Sequence, residues 1–352
     1  MTKDPNGSLG ITIAGTVLNT GEGVIQHYEI PGGVIGTGAW PMWRHDPTLS
    51  GNARGVDGSR IVLSRLAGSN RDLTAVAASE SEFRSTGSAK AVVVATDANF
   101  PDALAGSPLA VAKGAPILLT SPERLPTAVQ GEMQRVLPAG GAVYILGGSA
   151  AISAGVERQV ANLGYKVVRE SGPTRFATAS AIARTLGSPS TVLEADGTTF
   201  QDALVAGPAA AKLGGAVLLT NGEKMPTSTS AYLHLHEGRH YAVGSAAQGA
   251  DPNAQAVGSS DDYDRAVAVA QKFSPGAALA GFASETDYAD ELSGDANVAA
   301  GGGPMILVPS SGALPAPVSA YLLSSSVVSG LVYGGTAAVS SEVVGRLGAV
   351  GR

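Results

Sequence analysis

The sequence predicts an α/β protein of three tandem Rossmann-like modules with parallel sheets, preceded by a short N-terminal β-rich arm. The first observation is a repeated segment: NFPDALAGSPLAVAKGAPILLT at 99–120 returns about a hundred residues later as TFQDALVAGPAAAKLGGAVLLT at 199–220. Repetition at the interval of a domain indicates tandem modules. The second observation is that short apolar runs alternate with Ala-rich segments of helical spacing, which is typical of βαβ units.

Composition limits the classes of function. The 352 residues are 44% hydrophobic and only 15% charged, as expected for a folded chain of several domains. The net charge of −6 argues against general nucleic-acid binding, and the absence of cysteine excludes disulfides and thiolate metal sites. No run approaches the ~20 apolar residues of a membrane span, and the opening MTKDPNGSLG lacks the apolar core of a signal peptide. We therefore expect no nucleic-acid partner and no membrane partner, and either a signal peptide was removed or the protein is used without Sec export.

The first two modules share one order of elements. Both open with R-x-x-G-x-x-R-x-x-T-A, at 65–75 and 169–179, where Thr, Ser or Asn precedes an Ala-rich helix that it can cap. The apolar runs AVVVATD and TVLEADG follow, and their composition is that of buried parallel strands. The repeated segment then supplies a loop, a helix and a second strand, and a further helix and strand complete the module.

The third module is a degenerate copy. DDYDRAVAVAQ at 261–271 takes the place of the opening helix, and Tyr288-Ala289-Asp290 replaces the F-x-D of the repeated segment. In the second module we expect the helix after VGSAAQ to be missing. The predicted boundaries are 1–59 for the arm, 60–164 for repeat 1, 165–253 for repeat 2 and 254–352 for the degenerate repeat 3.

Four aspartates are candidate ligand-binding residues. Asp102 and Asp202 each follow a predicted strand and begin a helix, and open parallel sheets bind ligands beyond the carboxyl ends of their strands. A helix-capping carboxylate, worth roughly 0.5–2 kcal/mol, is an equally acceptable interpretation. Asp97 and Asp196 also end strands, where either a ligand carboxylate or an ordinary turn residue fits.

Two arginines form a second candidate group. Arg71 and Arg175 stand at matching positions, with Thr74 and Thr178 behind them. An arginine in a Gly-flanked loop can bind a carboxylate or phosphate through two hydrogen bonds, whereas the competing interpretation is a salt bridge that locks repeat to repeat. The complete predicted ligand-binding set is Arg71, Thr74, Asp97, Asp102, Arg175, Thr178, Asp196 and Asp202.

Motifs of catalysis are weak. The chain has no G-x-G-x-x-G after a strand, no Walker loop and no G-x-S-x-G nucleophile turn. His234, His236 and His240 could aim two imidazoles at a metal, but a solvated helix end or loop is the favoured interpretation. We therefore expect no catalytic residues, no metal and no cofactor.

Four ordered motifs carry a resemblance. R-x-x-G-x-x-R-x-x-T-A, F-P-D-A-L-A, G-A-P-I-L-L-T and V-Y-I-L-G-G-S-A-A-I-S resemble the cell-wall-binding repeat 2 family of Gram-positive surface proteins. The resemblance implies a pseudo-threefold bundle and non-covalent attachment to an anionic secondary cell-wall polymer or peptidoglycan, at the extracellular wall surface. Asp262 and Arg265 depart from the pattern, since repeat 2 has Arg175 and Thr178 there. If the Arg and Thr of the first two repeats contact the ligand, repeat 3 should bind poorly or serve as scaffold.

Two further functions remain open. A wall-glycan hydrolase would use Asp102 or Asp202 as the acid, with Asp97 or Asp196 as its partner across a cleft. A purely structural surface subunit would use the repeats for lattice contacts and bind no glycan.

Residues 1–59 lie outside the repeats. GITIAGTVLNTGEGVIQHYEI predicts a β-hairpin, and the Gly/Pro-rich segment behind it carries both tryptophans, Trp40 and Trp43. Two interpretations are open: a β-strap packed on the first module, or a docking arm for a capsid or surface lattice. The docking interpretation suits a bacteriophage virion surface protein, which is the alternative to a secreted wall-anchored protein.

Overall fold

The computed structural model describes residues 2–3, 9–16, 23–30, 61–99, 102–187, 189–286 and 288–350. The chain divides into two units, residues 1–43 and 44–352. In the first unit, β1 (Thr2–Lys3), β2 (Leu9–Thr16) and β3 (Gly23–Ile30) pair antiparallel in that order, as predicted for the hairpin segment. Trp40 and Trp43 lie outside the described residues, so docking through the arm stays a prediction.

The second unit contains three parallel sheets of four strands within its described residues. Sheet 1 has the order β6-β5-β7-β8, sheet 2 the order β10-β9-β11-β12, and sheet 3 the order β14-β13-β15-β4. The strands are β4 (Val62–Leu66), β5 (Ala91–Thr96), β6 (Ile117–Thr120), β7 (Ala142–Leu146), β8 (Lys166–Glu170), β9 (Thr191–Asp196), β10 (Ala216–Thr220), β11 (Arg239–Val243), β12 (Gln255–Val257), β13 (Leu279–Ser284), β14 (Met305–Val308) and β15 (Ser329–Tyr333). The predicted α/β class with three parallel-sheet modules is confirmed.

Helices connect the strands and cover both faces of the sheets. They are α1 (Arg71–Glu82), α2 (Gly106–Lys113), α3 (Thr127–Val136), α4 (Ala154–Asn162), α5 (Arg175–Thr185), α6 (Gln201–Lys212), α7 (Thr227–Leu233), α8 (Gly244–Ala250), α9 (Asp262–Phe273), α10 (Ala289–Ala300), α11 (Ala316–Ser324) and α12 (Ser341–Ala349). The helix expected to be missing from repeat 2 is present but short: α8 begins directly at the end of β11 and has seven residues, against nine in α4. None of the helices in the described ranges is long and apolar enough to cross a membrane.

Three equivalent helices, α2, α6 and α10, pack against one another. A Cβ on Gly207 would lie 3.2 Å from Ser107 Oγ and 3.3 Å from Asp295 Oδ2, so the small residue lets the helices approach closely. One continuous apolar core joins these helices to the inner faces of the sheets and takes residues from all three repeats. The pseudo-threefold bundle implied by the resemblance is confirmed in this arrangement.

Each sheet takes its fourth strand across a predicted repeat boundary. β8, from the opening motif of repeat 2, pairs with β7 of sheet 1, and β12 pairs with β11 of sheet 2. The first strand of repeat 1, β4, instead pairs with β15, with Val62 opposite Ser329 and Leu66 opposite Tyr333. The beginning of the repeat region thereby completes the last sheet and closes the three modules into a ring.

Candidate functional site

The candidate site lies where each sheet changes its direction of winding. In sheet 1 the chain leaves β5 for β6 on one side and returns to β7 on the other, so a crevice opens between β5 and β7 at their carboxyl ends. Asp102 follows β5, and Gly147 follows β7 with a positive φ of 97°. A Cβ on Gly147 would lie 2.6 Å from Asp102 Oδ2, which shows that the carboxylate sits directly on this bare backbone.

Sheet 2 repeats the same geometry. Gly244 follows β11 with a φ of 82°, and a Cβ there would lie 2.6 Å from Asp202 Oδ2. In sheet 3, Gly334 follows β15 with a φ of 92°. The aspartate of the repeated F-x-D-A-L segment and a left-handed glycine therefore form a recurring feature of the switch-point crevice.

The crevice of sheet 2 is closed by an arginine from repeat 3. Arg265 Nε lies 2.5 Å from Asp202 Oδ1, and the two side chains are only 5% and 7% exposed. Arg265 also pairs with Asp262. Burial raises the pKa of Asp202 to about 6, although Arg265 lowers it. The Asp202 carboxylate is thus already paired within the fold. Arg265, one of the residues that mark repeat 3 as degenerate, therefore acts in the crevice of the neighbouring sheet 2.

The crevice of sheet 1 differs from that of sheet 2. Asp102 is half-buried, and no basic side chain in the described part of the chain forms an ion pair with it. Residue 178, in α5, is Thr at the repeat position where Arg265 stands in α9. The two aspartates that the sequence treats alike therefore differ in their availability to a ligand.

Asp97 and Asp196 are not structural equivalents. Strand pairing places Asp196 opposite Thr220 and Thr96 opposite Thr120, so Asp97 corresponds to the residue after Asp196. The Asp196 carboxylate is 7% exposed and accepts hydrogen bonds from the Thr198 N–H at 2.9 Å and hydroxyl at 2.7 Å. A third bond comes from the Gly222 N–H at 3.0 Å. Asp196 therefore organises a turn, whereas Asp97 is half-buried directly after the end of β5.

Arg71 and Arg175 hold the same backbone position in two repeats. Arg71 Nη1 donates to the Asp97 carbonyl at 2.5 Å, and Arg175 Nη1 donates to the Gly197 carbonyl at 2.6 Å. Arg71 is exposed, lies 5.8 Å from the centre of the Tyr288 ring, and so links repeat 1 to repeat 3. Arg71 thus contacts repeat 3 through Tyr288, since its other partner, Asp97, belongs to repeat 1, and the predicted salt bridge between repeats is not among the ion pairs of the described residues.

Thr74 and Thr178 stabilise the turn that precedes each of their helices. Each is 1% exposed, and their hydroxyl oxygens accept the N–H of Gly68 at 3.0 Å and of Gly172 at 3.1 Å. A Cβ on Gly68 would lie 2.2 Å from Leu73 Cβ, so the turn requires glycine. These positions give the threonines a structural role, and the structure does not bring their hydroxyls to the crevice surface.

Sequence reasoning missed the first arginine of the R-x-x-G-x-x-R motif. Arg169 donates to the Gly147 carbonyl at 2.7 Å and to the Ile152 carbonyl at 3.0 Å. Arg65 donates to the Gly334 carbonyl at 2.6 Å. Both side chains therefore clamp the loop that carries the left-handed glycine. The signal was available, because both arginines of the motif recur in the first two repeats.

Comparison with curated proteins finds relatives that include an amidase and a protein named amidase enhancer. N-acetylmuramoyl-L-alanine amidase LytC of Bacillus subtilis is 25% identical over 292 residues, which are 81% of this chain and 58% of LytC. Amidase enhancer of the same bacterium is 28% identical over 296 residues, which are 83% of this chain and 41% of that protein. The chain thus spans about half the length of these relatives.

Solved structures share the fold. Cwp8 from Clostridium difficile superposes with a TM-score of 0.74 at 24% identity, over 83% of this chain and 52% of that one. Cwp6 from the same organism superposes with a TM-score of 0.74 at 21% identity, over 83% and 48% of the two chains. The model of the family described as cell wall binding domain 2 matches residues 65–157, 169–248 and 257–344. Because these segments make up most of the chain, the protein belongs to the cell wall binding domain 2 (CWB2) family.

Proposed function

We propose that the protein binds an anionic cell-wall polymer without catalysis and thereby attaches itself to the surface of a Gram-positive wall. Family membership supports wall binding in general. The observation that carries the finer proposal comes from sheet 1, where the exposed Arg71 and the half-buried Asp102 lie near the carboxyl ends of the strands. The equivalent crevice of sheet 2 is filled by an ion pair.

Arg71 is the group that we assign to the polymer's negative charge. Its Nη1 atom holds the Asp97 carbonyl, and because the side chain is exposed, Nη2 remains available to a phosphate or carboxylate. The ring of Tyr288 and the loop carbonyl hold the guanidinium in place, which lowers the entropy that binding must remove. A fixed local cation lets a chain of net charge −6 bind an anionic polymer.

Asp102 supplies the complementary contact. A half-buried carboxylate on the bare backbone of Gly147 accepts hydrogen bonds from sugar hydroxyls, which every glycan-containing wall polymer offers. Asp202 and Asp196 have their carboxylates occupied by Arg265 and by a turn, so we place the main binding site in repeat 1. We do not assign to this chain the amidase activity that the name of LytC states, because the chain spans only 58% of LytC.

Retention on purified walls tests the proposal. Arg71→Ala is expected to weaken binding by roughly tenfold or more, since a charge-assisted hydrogen bond contributes about 1.5–3 kcal/mol. Arg346→Ala is the matched control, because Arg346 is an exposed arginine whose ion pair among the described residues is with Glu342 on its own helix. Walls stripped of their anionic polymer are expected to retain the wild-type protein poorly.

Two outcomes would contradict this function. Equal retention on stripped and intact walls would remove the anionic polymer as the ligand. Equal retention of Arg71→Ala and Arg346→Ala would remove Arg71 from the site. Clearing of a wall suspension by the purified chain would show that it is a hydrolase instead, and Asp102→Asn would then be the first variant to assay.

A further inference from the structure

The outer face of sheet 2, turned away from the central helices, carries polar residues where sheet 1 is apolar. Strand pairing makes Glu194 of β9 the counterpart of Val94 in β5. In the same way, His240 of β11 is the counterpart of Val143 in β7. Both valines belong to the apolar core under α3 and α4. Repeat 2 therefore has a carboxylate and an imidazole at two positions of an otherwise hydrophobic layer.

Glu194 is buried beside the Asp251 carboxyl group, and burial together with that neighbouring carboxyl group raises the pKa of Glu194 to about 8. Its side chain is 0% exposed, and no donor in the described part of the chain reaches either carboxylate oxygen with hydrogen-bond geometry. Such a group is costly unless something compensates it. His240 and Asp251, both half-buried, each place one ligand atom so that the three ligand atoms lie within 4.8 Å of one another. The unpartnered carboxylate therefore points into a cluster of metal-ligating groups.

Hydrogen bonds fix the nitrogen that His240 offers. His236 Nε2 contacts the Pro189 carbonyl, which can only accept, so this nitrogen carries the proton. His236 Nδ1 is then an acceptor, and His240 Nε2, 3.0 Å away, must donate to it. His240 Nδ1 is left unprotonated, which is the state that a metal requires. A metal-bound histidine whose second nitrogen donates to a fixed acceptor is the usual outer-shell arrangement.

We propose that Glu194, His240 and Asp251 form a binding site for one divalent transition-metal ion of the zinc type. Two carboxylates neutralise a divalent charge in a buried position, and the imidazole nitrogen favours zinc over calcium or magnesium, which prefer oxygen ligands. Zinc bonds of about 2.0 Å need ligand atoms about 3.3 Å apart, so binding draws the half-exposed His240 and Asp251 towards Glu194. A water molecule completes the four ligands.

The site explains how the short helix of repeat 2 is held. Asp251 is the residue that ends α8, whereas β11 carries His240. In repeat 1 the equivalent helix, α4, buries Val156 and Val160 against the sheet, but α8 buries only Gly244 and Ala247. An ion that joins Asp251 to the strands replaces the hydrophobic contact that the shorter helix lacks.

Metal binding by the full chain tests the site. Protein treated with EDTA and dialysed is titrated with ZnCl₂ and, separately, with CaCl₂ by calorimetry, and bound metal is counted by elemental analysis. We expect one zinc per chain, retained through gel filtration, with no calcium binding at the same concentrations. Zinc should also raise the melting temperature, because it binds the folded state. Failure of the wild-type protein to bind zinc stoichiometrically overturns the proposal.

Matched variants separate the site from surface binding. Glu194→Gln is expected to lose stoichiometric zinc binding and the rise in melting temperature that zinc causes. Glu194→Val introduces the residue found at this position in sheet 1, and we expect the same loss of zinc binding. Without metal, Glu194→Val should melt no lower than the metal-free wild type. His236→Ala should weaken binding roughly 10–100-fold. His234→Ala, an exposed histidine nearby, is the control and should bind like the wild type. Unchanged zinc binding by Glu194→Gln would also overturn the proposal.

Discussion

At the scale of single residues, one substitution decides which of two equivalent aspartates is free. Asp102 and Asp202 occupy the same place in the repeat, yet only Asp202 is paired with Arg265. The repeated F-x-D-A-L segment is enough to single out both aspartates from sequence. Their different environments could not be predicted, because Arg265 belongs to the next repeat and only the fold brings it to Asp202. Strand pairing likewise places Asp97 one residue beyond the position that Asp196 occupies in its strand, so these two aspartates also differ in their surroundings.

Loss of Arg265 is expected to destabilise the protein strongly. Arg265→Thr, which installs the residue of repeats 1 and 2, should lower the free energy of unfolding by about 3–5 kcal/mol, because it leaves a buried carboxylate unpaired. Urea denaturation measures the change. Adding Asp202→Asn should recover much of the loss, since the unpaired charge is removed. An Arg265→Thr variant that unfolds at the wild-type urea concentration would show that the ion pair is not needed to close the crevice.

At the scale of elements, the strands and most helices were predictable, although the short α8 was expected to be missing, and the loops between them were not. β5 and β9 are buried along their whole lengths, because helices cover both faces of their sheets. Such strands can be recognised in the sequence as continuous apolar runs. Helix starts were also predictable from their caps, as with Asn70 Oδ1, which accepts the Leu73 N–H at 2.9 Å. The loops depend on contacts across the chain, such as the hydrogen bond from Arg169 to the Gly147 carbonyl: the recurring arginine is visible in the sequence, but its distant partner is not.

Replacing Gly147 tests the loop that carries the crevice. Gly147→Ala must place a Cβ 2.6 Å from Asp102 Oδ2 at a φ of 97°, so we expect a loss of about 1–3 kcal/mol and weaker wall retention. Gly148→Ala is the matched control, because a Cβ there meets nothing within 4 Å. Thermal melting and wall retention of the two variants give the comparison. Equal behaviour of both variants would mean that the contact between Asp102 and the glycine backbone does not shape the site.

At the scale of the whole molecule, several carboxyl groups hold their protons more tightly in the folded state than in the unfolded chain. Burial raises the pKa of Glu82 to about 7, although a hydrogen bond with Asn297 lowers it. Burial also raises the pKa of Asp72 to about 6, with Asp97 adding to the effect and Arg71 opposing it. Both residues lie in α1, which packs against α10 of repeat 3. The contact between the first and last repeats is therefore sensitive to protonation.

Stability is expected to fall as the pH rises from about 5 to about 8. A carboxyl whose pKa is raised by folding binds more protons in the native state across the interval between its unfolded and folded pKa values, so its stabilising contribution is complete below that interval and is lost above it. For Glu82 the interval runs from 4.5 to about 7. Melting temperatures measured across this range should decline by several degrees, and Glu82→Gln should flatten the decline. A profile that rises with pH would mean that the native carboxyls are ionised and paired instead.

Closure of the ring is the property of the whole molecule that most depends on distant parts of the chain. β4 completes sheet 3 by pairing with β15, and Arg65 at its end donates to the carbonyls of Gly334, Gly335 and Val339.

Removal of residues 1–66 would leave β15 as an exposed parallel edge, which is prone to pair with a second chain. We expect the 67–352 fragment to melt well below the 44–352 fragment and to self-associate, as seen by light scattering. The 44–352 fragment is the control, since it lacks only the separate first unit and keeps β4. If the 67–352 fragment were as stable and as monomeric as the control, the three modules would hold together through the packing of α2, α6 and α10 alone.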